Sequence, residues 1–308
     1  LVVLAGPTAV GKTELAVELC RRFGAEVISA DSVQVYRGLD IGSAKPTPAE
    51  RAAAPHHLID VAGPEEEFDA ARFAALAEQA LAGLRRRGRR ALVAGGTGLY
   101  LRALLWGLAP LPRPEPGLRE RLLAEWEELG GAALHARLAG LDPQAAGRIH
   151  PHDRQRVVRA LEVCLATGRP LSQAQKEHGF RRARHPHLLV GLTRPREELH
   201  RRIDRRCRRM WEAGLVEEVR GLVAAGVPAG ARSLGSLGYR QAAAFLAGEM
   251  SEEEALADMA RATRAYAKRQ LTWFRGMQGI NWHSPEDVRG VCALVERCWP
   301  VAGGRDEP

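Results

Sequence analysis

The sequence lacks what several large protein classes require. No apolar run approaches the roughly 20 residues of a membrane span, and nothing at its start has the basic, apolar and small-residue order of a signal peptide. The expectation is a soluble, cytoplasmic protein. The five cysteines (Cys20, Cys164, Cys207, Cys292, Cys298) are scattered and odd in number. They lack the paired spacing of a zinc site and read as reduced thiols. His56 and His57 have no third ligand at metal spacing and read as structural. Lysine is also scarce: of 45 basic residues, all but Lys12, Lys45, Lys176 and Lys268 are arginine. The formal charge of +8 favours polyanionic partners, and arginine forks onto phosphates and stacks on bases. A GC-rich genome would enrich arginine, alanine and glycine together, so composition alone does not choose. At 308 residues the chain can bury one large core or two smaller ones.

What is present is organised around Gly6-Pro7-Thr8-Ala9-Val10-Gly11-Lys12-Thr13. It follows the apolar run Leu1 to Ala5 and opens a helical pattern from Glu14 to Phe23. This is a P-loop in its proper strand, turn and helix setting. The glycines let successive N–H groups curl around one anion, with a helix N-terminus behind them. Lys12 would reach phosphate oxygens and the Thr13 hydroxyl would ligate Mg²⁺. Which phosphate is held, and which bond breaks, the loop does not say.

Glu26 to Ala30 reads as a short buried strand with Asp31-Ser32-Val33-Gln34 at its end. The carboxyl ends of parallel strands face one crevice, which puts Asp31 near the P-loop as helix cap, metal partner or catalytic base. Residues 37–47 should be a loop over the site, and His57 to Val61 a third strand. Asp69 to Arg87 has helical spacing and a basic C-terminal end. Arg90 to Ala94 is a further strand, and the glycine-rich turn after it brings Thr97 into the same crevice unless it is simply a tight turn.

Pro110 to Gly117 cannot be regular helix and marks a boundary. Helical patterns follow around Leu118 to Leu129, Ala132 to Leu138 and Asp153 to Ala166, before strand character returns at His187 to Leu192. The expected fold is α/β: a P-loop NTPase-like parallel sheet flanked by helices, with an all-helical insertion domain. Residues 1–110 and 185–308 would form the core and its C-terminal helices, and 111–184 the insertion. Near Pro195 a helix begins that carries Arg202 and Arg206 on one face. Gly235 to Arg240 reads as a loop entering a helix. Lys268 to Arg275, at the end of the long helix from Glu252, alternates basic and aromatic residues. That alternation suits RNA, though Trp273 and Phe274 would also suit a core. The tail from Gly303 should be disordered.

With these stretches in view, the chain resembles the tRNA dimethylallyltransferase (tRNA isopentenyltransferase) family. The matches run in order from the P-loop through Asp31 to Tyr36, Asp40 to Pro46, Gly95 to Tyr100, Arg148 to Pro151, Arg159 to Glu162, Gly238 to Gln241 and Lys268 to Trp273. The ordered set is far more specific than the P-loop alone. It implies transfer of a dimethylallyl group from dimethylallyl diphosphate to N6 of the adenosine 3′-adjacent to the anticodon, releasing diphosphate. By family position, Gly6, Thr8, Ala9, Val10, Gly11, Lys12, Thr13 and Arg206 would bind the diphosphate, with Mg²⁺ at Thr13. Lys12, Asp31 and Thr97 would be catalytic: Asp31 as base, Thr97 either donating to the leaving oxygen or orienting the amine.

Contacts to tRNA would include Asp31, Ser32, Val33, Gln34, Thr97, Arg119, Gln155, Arg156 and Arg159. Further along they would include Gly238, Tyr239, Arg240, Lys268, Arg269, Gln270, Trp273 and Arg275. The insertion would close on the anticodon stem-loop, and the protein would act as a monomer. No zinc-finger pattern follows the last helix, as in bacterial members, and the leucine at position 1 implies a trimmed start. Rival readings are prenylation of free AMP, a small-molecule kinase on the same fold, and a non-catalytic RNA binder.

Overall fold

The computed structural model describes residues 1–111, 117–180 and 182–300. The centre of the proline-rich joint and the tail from Gly303 lie outside these residues. Two compact units form, one from Leu1–Leu105 with the chain from Arg184 onward, the other from Trp106–Ala183.

The larger unit is built on six parallel strands: β1 (Val2–Ala5), β2 (Ala25–Ala30), β3 (His56–His57), β4 (Arg90–Gly95), β5 (Leu188–Leu192) and β6 (Ile280–His283), in the order β3-β2-β4-β1-β5-β6. β1 and β2 are buried at every residue, the signature of strands covered on both faces. β1 lies between β4 and β5, with Val3 opposite both Val93 and Leu189. From β1 the chain crosses β4 to reach β2, whereas β5 lies on the other side. The crevice at the carboxyl end of β1 is therefore a topological switch point, where α/β sheets bind ligands.

The flanking helices are α1 (Lys12–Phe23), the short α2 (Pro48–Ala53), α3 (Ala70–Arg86) and α4 (Gly98–Trp106). α3 begins where Asp69 accepts a hydrogen bond from the Arg72 amide, and it buries Phe73, Ala77, Leu81 and Leu84, at helical spacing, on the sheet. The expected strand from His57 to Val61 is cut to two residues. Leu58 (φ 64°) and Asp60 (φ 60°) adopt left-handed backbone that no strand continues.

In the smaller unit α5 (Leu118–Leu141) joins two expected helices through a kink at Gly130, whose φ of 81° and ψ of 162° only glycine adopts cheaply. α6 (Pro143–Ala146), α7 (Arg154–Thr167) and α8 (Leu171–His178) complete it. Its own core contains Leu122, Leu134, Leu138, Val157, Val158 and Leu161. Asp142 is buried, caps α6 at the Ala145 amide and accepts from the Ser172 amide (2.8 Å) and hydroxyl (2.6 Å), so it ties α8 to α6.

Five helices complete the larger unit: α9 (Arg196–Glu212), α10 (Leu215–Ala224), α11 (Tyr239–Leu246), α12 (Glu252–Arg275) and α13 (Val288–Cys298). α12 starts with a full capping box between Ser251 and Glu254 and packs on α9. Among the described residues no helix is long and apolar enough to cross a membrane. None of the five cysteines is paired, and four of them are buried.

Candidate functional site

The P-loop leaves β1 at Ala5 and turns into α1 at Gly11, whose φ of 112° excludes a side chain without strain. It is gripped by five side chains. Lys12 Nζ donates to the Gly6 and Pro7 carbonyls at 2.9 and 2.8 Å. Arg194 Nε donates to the Val10 carbonyl at 2.7 Å, and Arg202 Nε to that of Ala9 at 2.8 Å. Arg206 donates to the Thr8 hydroxyl. From α12, Gln270 accepts from the Thr8 amide at 2.9 Å and donates to the Gly96 carbonyl at 2.8 Å.

The carboxyl ends of β2 and β4 meet beside the loop. A Cβ on Gly95 would lie 2.1 Å from the Ala30 carbonyl oxygen, so glycine alone permits this approach. The Thr97 amide donates to the Ala30 carbonyl at 3.2 Å, and the Ser32 amide donates to the Thr97 hydroxyl at 3.1 Å. Asp31 Oδ1 accepts from the amides of Val33 (2.8 Å) and Gln34 (3.2 Å), which leaves Oδ2 for a substrate. Asp31 and Thr97 thus come together through backbone that they themselves hydrogen-bond.

Lys12, Thr13, Asp31, Gln34, Arg202 and Arg206 line one cavity of about 830 Å³ with the P-loop. Its electrostatics favour an anion. Burial pushes the Lys12 ammonium down to about 8 against the opposing pull of Asp31. Burial also lowers Arg206, whose Nε is buried without a hydrogen-bond partner. Both cations feel the carboxylates of Asp31 and Glu14, yet the cavity also gathers Lys45, Arg202, Arg205, Arg208 and Arg209, so positive charge remains that a di- or trianion would satisfy. The Thr13 hydroxyl and the Asp31 carboxylate offer the oxygen donors that a small divalent cation takes alongside phosphate oxygens and water. The described residues hold no cluster of three His, Cys, Asp or Glu, so such an ion would depend on the phosphates.

The residues expected to meet tRNA divide by exposure. Arg240, Lys268, Arg269, Trp273 and Arg275 are exposed in the larger unit, and Gln155 and Arg156 in the smaller. Trp273 is seated over Gly98, where an added Cβ would lie 2.2 Å from its ring, while Phe274 is fully buried. Arg119 and Arg159 both bind Glu162, whose side chain is wholly buried. Ser32 and Val33 are half-buried. Four residues depart from the expectation of RNA contact. Tyr239 has no exposed surface; its hydroxyl donates to Glu218, which receives the Ile41 amide, so the ring supports the 37–47 loop. Gly238 is buried beneath it as the start of α11, with a φ of 90°. Gln270 is consumed by the P-loop and Gly96. Gln34 likewise spends its amide on Ser29, Ser43 and Ala44.

Two site residues escaped the motifs. Arg194 is nearly buried and also pairs with Glu198 and Glu286. Tyr266 stands half-buried one helical turn before Gln270, and burial with the nearby Asp31 carboxylate pushes its phenol up to about 12. That i, i+4 spacing was its only signal.

Comparison with known proteins agrees with this geometry. The family model described as IPP transferase matches residues 34–277. The tRNA dimethylallyltransferase of Anaeromyxobacter dehalogenans (strain 2CP-1 / ATCC BAA-258) is 54% identical over 303 residues, covering 98% of this chain and 99% of that protein. That of Syntrophobacter fumaroxidans is 49% identical, covering 97% of this chain and 88% of the relative. The crystal structure of the tRNA isopentenylpyrophosphate transferase from Bacillus halodurans superposes with a TM-score of 0.72 at 38% identity, covering 96% of this chain and 95% of that one. A eukaryotic dimethylallyltransferase acting on tRNA superposes with a TM-score of 0.81 at 28% identity, covering 99% and 81%. Enzymes of this kind generally use a divalent metal. A P-loop backed by buried cations, Asp31 on its cavity with Thr97 tied beside it through Ser32, a family model over residues 34–277 and 54% identity over 98% of the chain together make it a member of the IPP transferase family of tRNA-prenylating enzymes.

Proposed function

We propose that this protein transfers a dimethylallyl group from dimethylallyl diphosphate to N6 of the adenosine 3′-adjacent to the anticodon of tRNA. The observation that carries the reading is the Asp31–Thr97 pair, stitched together through Ser32 beside a P-loop whose cations are buried.

The loop amides from Thr8 to Thr13 would hold the diphosphate, with Lys12 and Arg206 leaving their present loop partners for its oxygens. Mg²⁺, held by the Thr13 hydroxyl and the phosphates, would neutralise charge on the departing group. As the C–O bond lengthens, positive charge spreads over the allylic double bond and negative charge gathers where Lys12 and Arg206 wait. The adenine amine attacks that carbon. Its lone pair is delocalised into the ring, so it must lose a proton as the C–N bond forms, and Asp31 Oδ2 is the base that takes it. The adenine reaches the site by leaving the loop stack, at a cost of about a few kcal/mol. Exposed Lys268, Arg269, Trp273 and Arg275 are suited to hold the anticodon stem-loop from one unit, and Arg119, Gln155, Arg156 and Arg159 from the insertion. The protein would work as a cytoplasmic monomer.

The test is incubation with Mg²⁺, radiolabelled dimethylallyl diphosphate and unmodified tRNA, beside AMP and an Asp31→Ala variant. Label in tRNA but not AMP, with severe loss in the variant, is expected. Label in AMP alone would move the activity to free nucleotides. ATP consumed on a small molecule, with no label in either, would leave a kinase.

A further inference from the structure

The arginines of α9 follow the P-loop and then run past it. Arg194, just ahead of the helix, donates to the Val10 carbonyl, Arg202 to that of Ala9, and Arg206 to the Thr8 hydroxyl. Helix and loop thus run in opposite directions, and beyond Arg206 the helix has no more loop to hold. Yet Arg205, Arg208 and Arg209 line the same cavity of about 830 Å³. Residues 202, 205, 206 and 209 recur at spacings of three and four, so one face of α9 presents them together. Arg202 and Arg206 are half-buried, whereas Arg205, Arg208 and Arg209 are exposed, which puts the outer three where the cavity meets solvent.

The inner arginines are occupied and the outer ones are not. Among the described residues, Arg205, Arg208 and Arg209 have no hydrogen-bond or ion-pair partner. Arg209 lies close enough to Arg206 to disfavour its charge. The carboxylates on the cavity are engaged elsewhere: Glu50 closes the capping box of α2, and Glu14 faces Arg202 at 3.9 Å. Like charges three or four residues apart destabilise a helix, and an anion among them relieves the repulsion. Three residues of helix rise about 5 Å, well inside the Debye length of about 10 Å at 0.1 M salt, so an anion at Arg209 also feels Arg206. A cleft lined by one sign of charge concentrates the opposite ion at its mouth.

Resting on the transferase reading above, we propose that Arg205, Arg208 and Arg209 form an outer, diphosphate-collecting site at the mouth of the P-loop cavity. The prenyl diphosphate meets these guanidinium groups first, in an exposed and exchangeable complex. It then moves inward along α9 to Arg206, Lys12 and the loop amides. The same groups receive the diphosphate product as it leaves. No bond forms or breaks at the outer site. Collection works through charge and does not need the planar fork that a fixed phosphate seat uses, so lysine can replace arginine there and glutamine cannot.

Two measurements on the full chain test this. One is kcat/KM for dimethylallyl diphosphate at saturating tRNA across a range of sodium chloride concentrations; the other is calorimetric titration with inorganic diphosphate and Mg²⁺, without tRNA. Replacing Arg205, Arg208 and Arg209 together with glutamine should lower kcat/KM about tenfold at low salt, the lower end of what a focused field adds to association. The loss should fall on kcat/KM and not on kcat, and KM for tRNA should stay at the wild-type value. In 0.5 M salt, where the Debye length is about 4 Å, the deficit should shrink below about twofold. Inorganic diphosphate should bind the glutamine variant more weakly by a similar factor at low salt, and the triple lysine variant should match wild type in both measurements. Wild-type kcat/KM in the glutamine variant, a deficit that salt does not remove, a lysine variant as poor as the glutamine one, or a loss confined to KM for tRNA would each overturn the proposal. A wild-type protein that transfers no label would remove the transferase reading, while the titration with inorganic diphosphate would still decide whether the outer arginines collect that anion.

Discussion

Lys12 is the residue whose charge state the structure makes most consequential. Its ammonium titrates near 8 because burial disfavours the charge more than Asp31 restores it. Below that pH the site presents a cation to the diphosphate, and above it a neutral amine. kcat/KM for the prenyl diphosphate, which reports the free enzyme, should therefore fall about tenfold per pH unit as pH rises through the Lys12 pKa. Asp31 raises the Lys12 value, so Asp31→Asn should move this break to lower pH, as donor affinity measured against pH would reveal. The same variant should lose about 10²- to 10⁴-fold in kcat, the usual share of a general base. A break that stayed in place would mean that the two charges do not communicate.

At the scale of elements, β2 and β4 are set by the absence of one side chain. Gly95→Ala would put a methyl 2.1 Å from the Ala30 carbonyl, and backbone cannot step aside as a flexible side chain can. The strands must part. A loss of about 1–3 kcal/mol in denaturant unfolding is expected, together with a drop in kcat because Thr97 and Asp31 separate. In the insertion, α5 and α7 meet at Glu162, which accepts from Arg119 at 3.1 and 3.3 Å and from Arg159 at 3.2 Å. Its carboxylate fixes two partly exposed guanidinium groups through one nitrogen of each. Glu162→Gln keeps the volume but removes the charge. It should weaken tRNA binding by about tenfold, near 1.4 kcal/mol, while affinity for the diphosphate donor stays at the wild-type value in calorimetry.

For the whole molecule, the excess of arginine predicts how binding responds to salt. The logarithm of tRNA affinity should fall linearly with the logarithm of salt concentration, with a slope of about −0.7 to −0.9 for each phosphate neutralised. Lys268 and Arg275 are exposed. Replacing both with glutamine should flatten the slope by about 1.5, without altering the salt response of a reaction given only the small donor. An unchanged slope would place the RNA elsewhere.

The local rules of the chain determined most of the elements. Glycine spacing around Lys12 announces the P-loop, short apolar runs announce β2 and β4, and Asp69 marks a helix start because its side chain satisfies a terminal backbone amide. These depend on neighbours in sequence, and so were legible there. The third strand was misjudged because an apolar run says nothing of the left-handed turns at Leu58 and Asp60. The ordered motifs also named Lys12, Asp31 and Thr97, and family position added Arg206. Tertiary structure alone decided which motif residues face the cavity and which hold it up. Tyr239 and Gln270 belong to matching motifs yet are buried, because burial depends on what packs against them from Glu218, Gly42 and the P-loop. Arg194 belongs to no motif yet holds the loop, because a hydrogen bond between residues 184 positions apart leaves no periodic trace in the chain.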